Sequence, residues 1–550
     1  MLVFRDFRDD VARASNGSRL VIKPSDVEID SKGFADYVIR VFRYRHEDWF
    51  GSWFSAFSEA VRSLDFIERC ELSGDYINIS ISGKSLFSTI KQSMDTVGVF
   101  PETFQDPDRV VVEHTSANPT GPIHVGRIRN SIIGDSMARI MSRYGYRVST
   151  QYFVNDSGKQ VMALYEGHKR FFPDSEMTVD NLMKGYQKIY SEMESLGGED
   201  AVLGPLLKRY EIPDTALIEE IRGVCTIVLN SIRNTLLKLN IKIDDFVFES
   251  GFLQGEEIAR AFEMLEGSLR AEGAARYVDT PWGKKEFLVR SDGTKLYLAR
   301  DLAYHLFKAD HFDVIVDVLG EDHKDYAKSL KYILSDLIGV DKKIEFLIYS
   351  FISLEGSKLS TRQGNIITVE DLITRADQEA RKIIAGKQGE YSVEAMENIA
   401  KVVATNSVRF NIVRVNPQKP MVFRWEEAMN TDGDSAPFIM YSYSRAFSIM
   451  EKTRPSQKLS LEFDSTEKGL LWNMYLYADF IKRSVDSKRP DLIAFYLLNL
   501  TKAFNDFYSR CQVNVDDDGV RGRRLEITSM YSRIVRDAAG LLGMNVLDRM

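Results

Sequence analysis

Val110-Val-Val-Glu-His-Thr-Ser-Ala-Asn-Pro-Thr-Gly-Pro-Ile-His-Val-Gly-Arg127 is the stretch from which the fold is read. It begins as a β-branched run, the pattern of a buried strand. Pro119, Gly121 and Pro122 then break it. From His124 onward Ile128, Ile132, Ile133 and Met137 recur at helical spacing. The stretch therefore reads strand, tight loop, helix. Such a unit aims the free N–H groups of a helix N-terminus above the strand, where an anion, most often phosphate, is stabilised. His124 and Arg127 share a face of the first turn, and Gly126 between them lets a flat ring approach the backbone.

Downstream, Tyr146-Arg-Val-Ser-Thr-Gln-Tyr-Phe-Val154 reads as a second strand ending in Asn155-Asp-Ser-Gly-Lys-Gln160. A strand–helix–strand unit of this length is a crossover between parallel strands, with loops at the strand carboxyl ends lining the site. Residues from about 161 to 245 read as a mostly helical insertion. Within it Leu217, Ile221, Val224, Val228 and Ile232 form a core-facing stripe. The second half of the sheet is expected to begin near Glu286-Phe-Leu-Val-Arg-Ser-Asp-Gly-Thr294. A helix follows, with Tyr297 and Asp301 on one side, then strands at Asp313–Leu319 and Ile344–Tyr349. Thr368-Val-Glu-Asp371 has the form of a capping box, after which the chain reads as nearly all helix to Met550.

Composition places few restrictions beyond these. The chain has 550 residues, 44% hydrophobic and 28% charged, with no apolar run long enough to span a membrane and no secretory leader pattern. Cys70, Cys225 and Cys511 are odd in number and widely separated, which suggests neither a disulfide framework nor a zinc site and fits a reducing cytoplasm. The net charge of −8 speaks weakly against a nucleic-acid partner, although one basic face on a large chain is compatible with it. No P-loop pattern is present, which disfavours a generic ATPase or kinase.

His124-Val-Gly-Arg127 resembles the first signature of class I aminoacyl-tRNA synthetases, and the flanking Ser116-Ala-Asn-Pro-Thr-Gly-Pro122 resembles the arginyl-tRNA synthetase family in particular. Arg127 stands where the signature has a second histidine. Lys358-Leu-Ser-Thr-Arg362, inside a glycine-flanked loop, resembles the second signature, with Thr361 in place of its second lysine. The resemblance implies an α/β protein. A Rossmann-like parallel-sheet catalytic domain would span 106–375 with the insertion at about 161–245. A small α/β domain over 1–105 would contact the tRNA D-loop, and an all-α helical bundle over 376–550 would hold the anticodon stem and loop. It implies that L-arginine and Mg2+·ATP are the small substrates, that tRNA(Arg) is the partner, and that activation requires bound tRNA. A cytoplasmic monomer with no membrane partner and no protein-bound metal site is expected.

Carried over residue by residue, His124, Gly126, Arg127, Lys358 and Arg362 are the expected catalytic positions. His124, Gly126 and Arg127 would also meet ATP, together with Gly320, Asp322, His323, Lys358 and Ser360. Ser116, Asn118, Glu249, Tyr297 and Asp301 would bind arginine, because a guanidinium demands carboxylates in fixed geometry. Tyr76, Asn78, Tyr441, Arg445 and Met550 would touch tRNA. Arg521, Arg523, Arg524, Arg533 and Arg536 read either as a phosphate-contacting stripe or as a solvated helix face. Two rivals remain. One is a class I synthetase for cysteine or methionine, the former disfavoured by the lack of a Cys/His cluster. The other is an inactive RNA-binding paralogue, disfavoured by intact His124, Gly126 and Lys358.

Overall fold

Strand β1 (Arg109–Glu113) lies at the centre of a five-stranded sheet. The others are β2 (Arg147–Val154), β3 (Asp245–Phe248), β4 (Val314–Gly320) and β5 (Lys343–Tyr349), in the spatial order β5-β4-β1-β2-β3. Every pairing is parallel. Alternation along the strands feeds two separate cores. Val110 and Val112, with Val314, Val316 and Val318, pack into the core that holds Ile128, Ile132, Ile133 and Met137 of helix α1 (Val125–Tyr144). Val111 and Ile315 face the other way, against Leu298, Leu302 and Leu306 of helix α2 (Tyr297–His311). A sheet covered on both faces needs apolar residues at every position, which is why β1 and β4 are continuous runs. The structure, a computed structural model, describes residues 6–30, 33–97, 106–211, 214–252, 255–355, 367–385 and 391–550.

The strand expected near Glu286 does not join this sheet. Lys285–Val289 belongs to a separate three-stranded antiparallel sheet with Ala275–Asp279 and Leu269–Glu272. Its alternating burial, with Glu286 and Leu288 in and Phe287 out, marks a strand with one solvated face. The parallel sheet resumes only at β4.

Among the described residues the insertion between β2 and β3 holds four helices, Lys159–Phe171, Val179–Glu192, Glu199–Glu211 and Thr215–Lys238. The stripe from Leu217 to Ile232 is buried. The first two cross at Gly167 and Gly185, where a Cβ on Gly167 would stand 2.4 Å from the Gly185 carbonyl oxygen, so the crossing requires glycine.

Upstream, strands Val27–Ile29, Tyr37–Arg40, Ile67–Ser73 and Tyr76–Ile81 form an antiparallel sheet backed by helix Phe50–Arg62, and the following helix Gly83–Val97 packs against Ser465–Tyr475 and Asp518–Leu541. Ile77, Ile79 and Ile81 point into its core. The unit docks on the C-terminal helices: the Tyr37 hydroxyl donates to that of Tyr475 at 3.3 Å, and Lys91 pairs with Glu526 at 2.7 Å.

Among the described residues from the Thr368 capping box onward the chain is helical apart from extended connections and Met421–Phe423, a short strand that pairs with Ile352–Leu354. Two buried guanidinium groups fasten this half to α1. Arg129 donates to the carbonyls of Ser350 (2.5 Å), Lys419 (2.8 Å) and Asn416 (3.0 Å). Arg409 pairs with Asp135 at 2.5 Å and donates to the carbonyls of Leu239 and Leu542. Planar forks with several fixed donors suit such multi-segment junctions. Among the described residues no helix is long and apolar enough to cross a membrane.

Candidate active site

The order β5-β4-β1-β2-β3 places a topological switch point between β1 and β4, whose onward connections leave in opposite directions. Ligands in such sheets bind in the crevice outside the carboxyl ends of those two strands. After Glu113 the chain makes an abrupt turn: Thr115 and Ser116 have φ of 72° and 31°, and the Ser116 N–H donates to the His114 carbonyl at 3.0 Å. A positive φ at a β-branched residue is strained and persists only where its surroundings hold it. The turn aims Ser116 back at the sheet, where its hydroxyl donates to Glu113 Oε1 (2.9 Å) and accepts from the Phe153 N–H (3.0 Å). Asn118 is exposed and donates to Gln160 Oε1 at 3.1 Å.

His114 is fully buried against α1, and Gly134 makes the space: a Cβ there would lie 2.3 Å from that of His114. Burial pushes the His114 imidazole down to about 4. A base whose folded value lies below its unfolded value of about 6.5 stabilises the fold fully above that value, and the contribution fades as pH falls toward 4. The parent should therefore lose roughly 3 kcal/mol more than His114→Gln between pH 7 and pH 4. Denaturant titrations of both proteins across that range test this, and equal slopes would contradict it.

His124 is the N-cap of α1 in extended conformation; the Val125 N–H donates to the Ile367 carbonyl at 3.1 Å and the Arg127 N–H to the His124 carbonyl at 2.9 Å. Burial, and secondarily Arg127, lowers the His124 imidazole below its ordinary value, so it works as a neutral hydrogen-bonding group at pH 7. Arg127 is exposed and forms no ion pair among the described residues. Gly126 has a second role: a Cβ there would sit 3.0 Å from the His124 ring. Across the crevice Gly320 ends β4, and a Cβ on it would collide with Asp322 Oδ1 at 2.4 Å. Asp322 and His323 stand exposed at the start of the next turn, 3.6 Å apart.

On the other wall α2 carries four polar groups at helical spacing. Tyr297 is 59% exposed at its first turn. Asp301 is half-buried, accepts from the Tyr326 hydroxyl, and has no cation partner among the described residues. Burial pushes its carboxyl up to about 6 against the opposing effects of His305 and Tyr326, with Glu113 and Glu249 adding to the rise. His305 Nε2 lies 2.7 Å from Asp317, and the fully buried Lys308 bridges Glu113 (2.5 Å) and Asp317 (2.7 Å). Glu249 is buried beside them but engaged: Ser157 donates to it at 2.6 Å and Arg300 pairs with it at 3.1 Å. Burial raises its carboxyl, offset in part by Arg300.

The C-terminal helices carry a separate cleft of about 810 Å³ that brings together Tyr441, Arg445 and Met550 with Tyr391 and Arg549. Arg445 lies 4.6 Å from the Tyr508 ring and donates to Asn505 at 3.0 Å.

Residues 93–425 match the family described as class I (R) tRNA synthetases, catalytic domain, and 439–550 match the DALR anticodon binding domain. An arginine–tRNA ligase of Thermoplasma acidophilum is 44% identical over 554 residues, covering 100% of both chains. The chain belongs to the arginyl-tRNA synthetase family. One member from Methanocaldococcus jannaschii is 35% identical over 507 residues, 89% of this chain and 88% of that one. The fold is that of the Thermus thermophilus arginyl-tRNA synthetase, with a TM-score of 0.84 at 22% identity over 99% of both chains. The Plasmodium falciparum enzyme gives 0.81 at 18% identity, covering 99% and 98%.

Set against the family reading, Ser116 and Asn118 follow β1, Glu249 follows β3, and Tyr297 and Asp301 open and line α2. His124, Gly126 and Arg127 start α1, and Gly320, Asp322 and His323 end and follow β4. Lys358, Ser360, Thr361 and Arg362 lie outside the described residues. Tyr76 is 40% exposed and Asn78 half-buried, two residues apart on an N-terminal strand. The phosphate-contacting arginine stripe is corrected. Arg521 and Arg523 are buried, Arg523 and Arg524 both pair with the buried Glu467, Arg533 donates to the Met94 carbonyl, and Arg536 pairs with Asp548. Arg521, Arg523 and Arg524 are therefore internal counter-ions, whereas Arg533 and Arg536 are exposed. Sequence reading missed Tyr326. Arg300 and Lys308 were legible as cations near Asp301 on its helix, but the structure pairs them with Glu249 and with Glu113 and Asp317 instead.

Proposed function

We propose that the crevice activates L-arginine with ATP and transfers it to the 3′ end of tRNA(Arg). The observation that carries arginine in particular is Asp301: a half-buried carboxylate, oriented by Tyr326, with no cation partner among the described residues. A guanidinium is always charged and offers a planar fork of donors, so it fills such a place with paired, charge-assisted bonds. Tyr297 would cover the side chain. Ser116 and Asn118 would hold the α-amino end. Glu249 would act on the same charge from behind Arg300.

ATP would enter as its Mg2+ complex, the ion supplying charge neutralisation on the phosphates. The N-terminus of α1, His124 and Arg127 would hold the phosphates, Gly126 would lie beneath adenine, and Gly320, Asp322 and His323 would hold the ribose. In the first step an arginine carboxylate oxygen attacks the α-phosphorus; the new P–O bond forms as the bond to the bridging oxygen breaks, and pyrophosphate leaves. Charge develops on the departing phosphates, where Arg127 and, by resemblance, Lys358, Ser360 and Arg362 would stabilise it. In the second step a hydroxyl of the terminal ribose attacks the arginyl carbonyl carbon and AMP leaves.

The division into an N-terminal D-loop unit (1–105), a catalytic unit (106–375) and an anticodon-binding unit (376–550) is part of the same proposal, as is a cytoplasmic monomer. Tyr441, Arg445 and Met550 would receive the anticodon loop, and Tyr76 and Asn78 an unpaired D-loop base. Base–aromatic stacking contributes about 1–3 kcal/mol, so Tyr76→Ala should raise KM for tRNA by about tenfold or more while KM for ATP and arginine stays within twofold. Steady-state charging kinetics check this, and an unchanged KM for tRNA removes Tyr76 from the interface.

A further inference from the structure

We propose that Asn130 is a positioning residue that locks the two substrate loops of the crevice into one register. This rests on the assignment of those loops to arginine and ATP made above. Asn130 lies on α1 one turn after Arg127 and is 6% exposed. Its Oδ1 accepts from the Thr115 N–H at 2.5 Å, and its Nδ2 donates to the Val318 carbonyl at 2.7 Å. The β1–β4 ladder has its last pair at Glu113 and Asp317. Beyond that pair the strands separate to open the crevice, and a single side-chain amide from the signature helix spans the gap. On one side Thr115 leads into Ser116 and Asn118. On the other Val318 leads through Leu319 into Gly320 and Asp322. Because one rigid planar group makes both bonds, a displacement of either loop is transmitted to the other.

The strain at Thr115 shows why a fixed partner is needed there. A γ-turn with positive central φ is rare and does not hold itself. Asn130 takes the backbone N–H at the centre of the turn, and Ser131, the next residue of α1, accepts from the Thr115 hydroxyl at 2.9 Å. The helix that carries the phosphate-facing His124 and Arg127 thus also sets the amino-acid loop and the end of the ribose strand. Only a carboxamide supplies one acceptor and one donor in this shape. Alanine supplies neither. Aspartate keeps the acceptor for Thr115 and sets a carboxylate oxygen against the Val318 carbonyl.

The test is calorimetric binding of ATP, of arginine and of a non-hydrolysable arginyl-adenylate analogue to the parent, Asn130→Ala, Asn130→Asp and Asn406→Ala. Asn406 is the matched control: it is buried, its amide makes both bonds to the backbone of Asn545, and it lies outside the crevice on Val393–Val413. Asn130→Ala should weaken arginine and ATP each by about tenfold, and the analogue, which contacts both loops, by more than either. Asn130→Asp should lose more affinity for ATP than for arginine. Asn406→Ala should stay within about twofold for all three ligands. Affinities of the Asn130 variants within twofold of the parent would overturn the proposal, as would equal losses in Asn406→Ala. A parent that binds neither ATP nor arginine would instead overturn the assignment of the loops.

Discussion

Asp301→Ala lowers kcat/KM for arginine by on the order of 3–5 kcal/mol, two to three powers of ten or more, and leaves KM for ATP within a few fold. The cost is that of seating a guanidinium in an enclosed site without its counter-ion. The nearby acid Glu249 cannot substitute, because Arg300 and Ser157 already occupy its oxygens. The same carboxylate has an opposite effect on stability. Its folded value of about 6 lies above the usual carboxylate value, so it stabilises the ligand-free fold only at low pH, and that contribution is lost as pH rises through about 6. At pH 7 the ionised group costs the empty protein about 1–3 kcal/mol. Asp301→Asn, which keeps an acceptor for Tyr326, should therefore be more stable than the parent without ligand while charging arginine poorly. Kinetics and denaturant titrations on the two variants check both halves. Near-parent charging would show that the guanidinium binds elsewhere, and lowered stability of Asp301→Asn would contradict the strained-site reading.

Lys308→Met destabilises the parallel-sheet unit by about 3–5 kcal/mol. Lys308 is completely enclosed, lies 4.0 Å from the Tyr304 ring centre, and holds Glu113 and Asp317 together under the crevice. Burial alone would push the Asp317 carboxyl up, but Lys308 and His305 outweigh it and hold it well below the usual range. Without the lysine, two carboxylates share the space and His305 is left as the partner of Asp317. Burial then raises the Asp317 carboxyl, so the deficit relative to the parent should narrow as pH falls through 6 to 4. Thermal and denaturant unfolding at several pH values measure it. A loss under 1 kcal/mol, or one that widens in acid, would show that the network is not held by this charge.

The sheet was legible where packing and local spacing agree. Val110–Val112 and the Ile128, Ile132, Ile133, Met137 stripe declare a strand and a helix because each buries one local pattern against a neighbour close in the chain. The segment at Glu286 misled because alternation says how many faces are buried, and that was outweighed by its position before the helix of Tyr297. Arg523 and Arg524 could not be placed from charge alone, since their partner Glu467 comes from another helix. His114 and Gly134 fit each other across a strand and a helix, and Asn130 meets Val318 from 188 positions away. Contacts of this kind exist only once the sheet has formed. The signature loop around Lys358 was read from resemblance alone.

The most direct test of the central claim is charging of total tRNA by the purified chain, with each of the twenty amino acids supplied separately as radiolabel and acid-precipitable counts followed over time. Arginine alone should accumulate on tRNA, dependent on ATP and Mg2+ and with stoichiometric release of AMP and pyrophosphate. Sustained charging by methionine or cysteine, or no charging by arginine while ATP and tRNA still bind, would contradict the account.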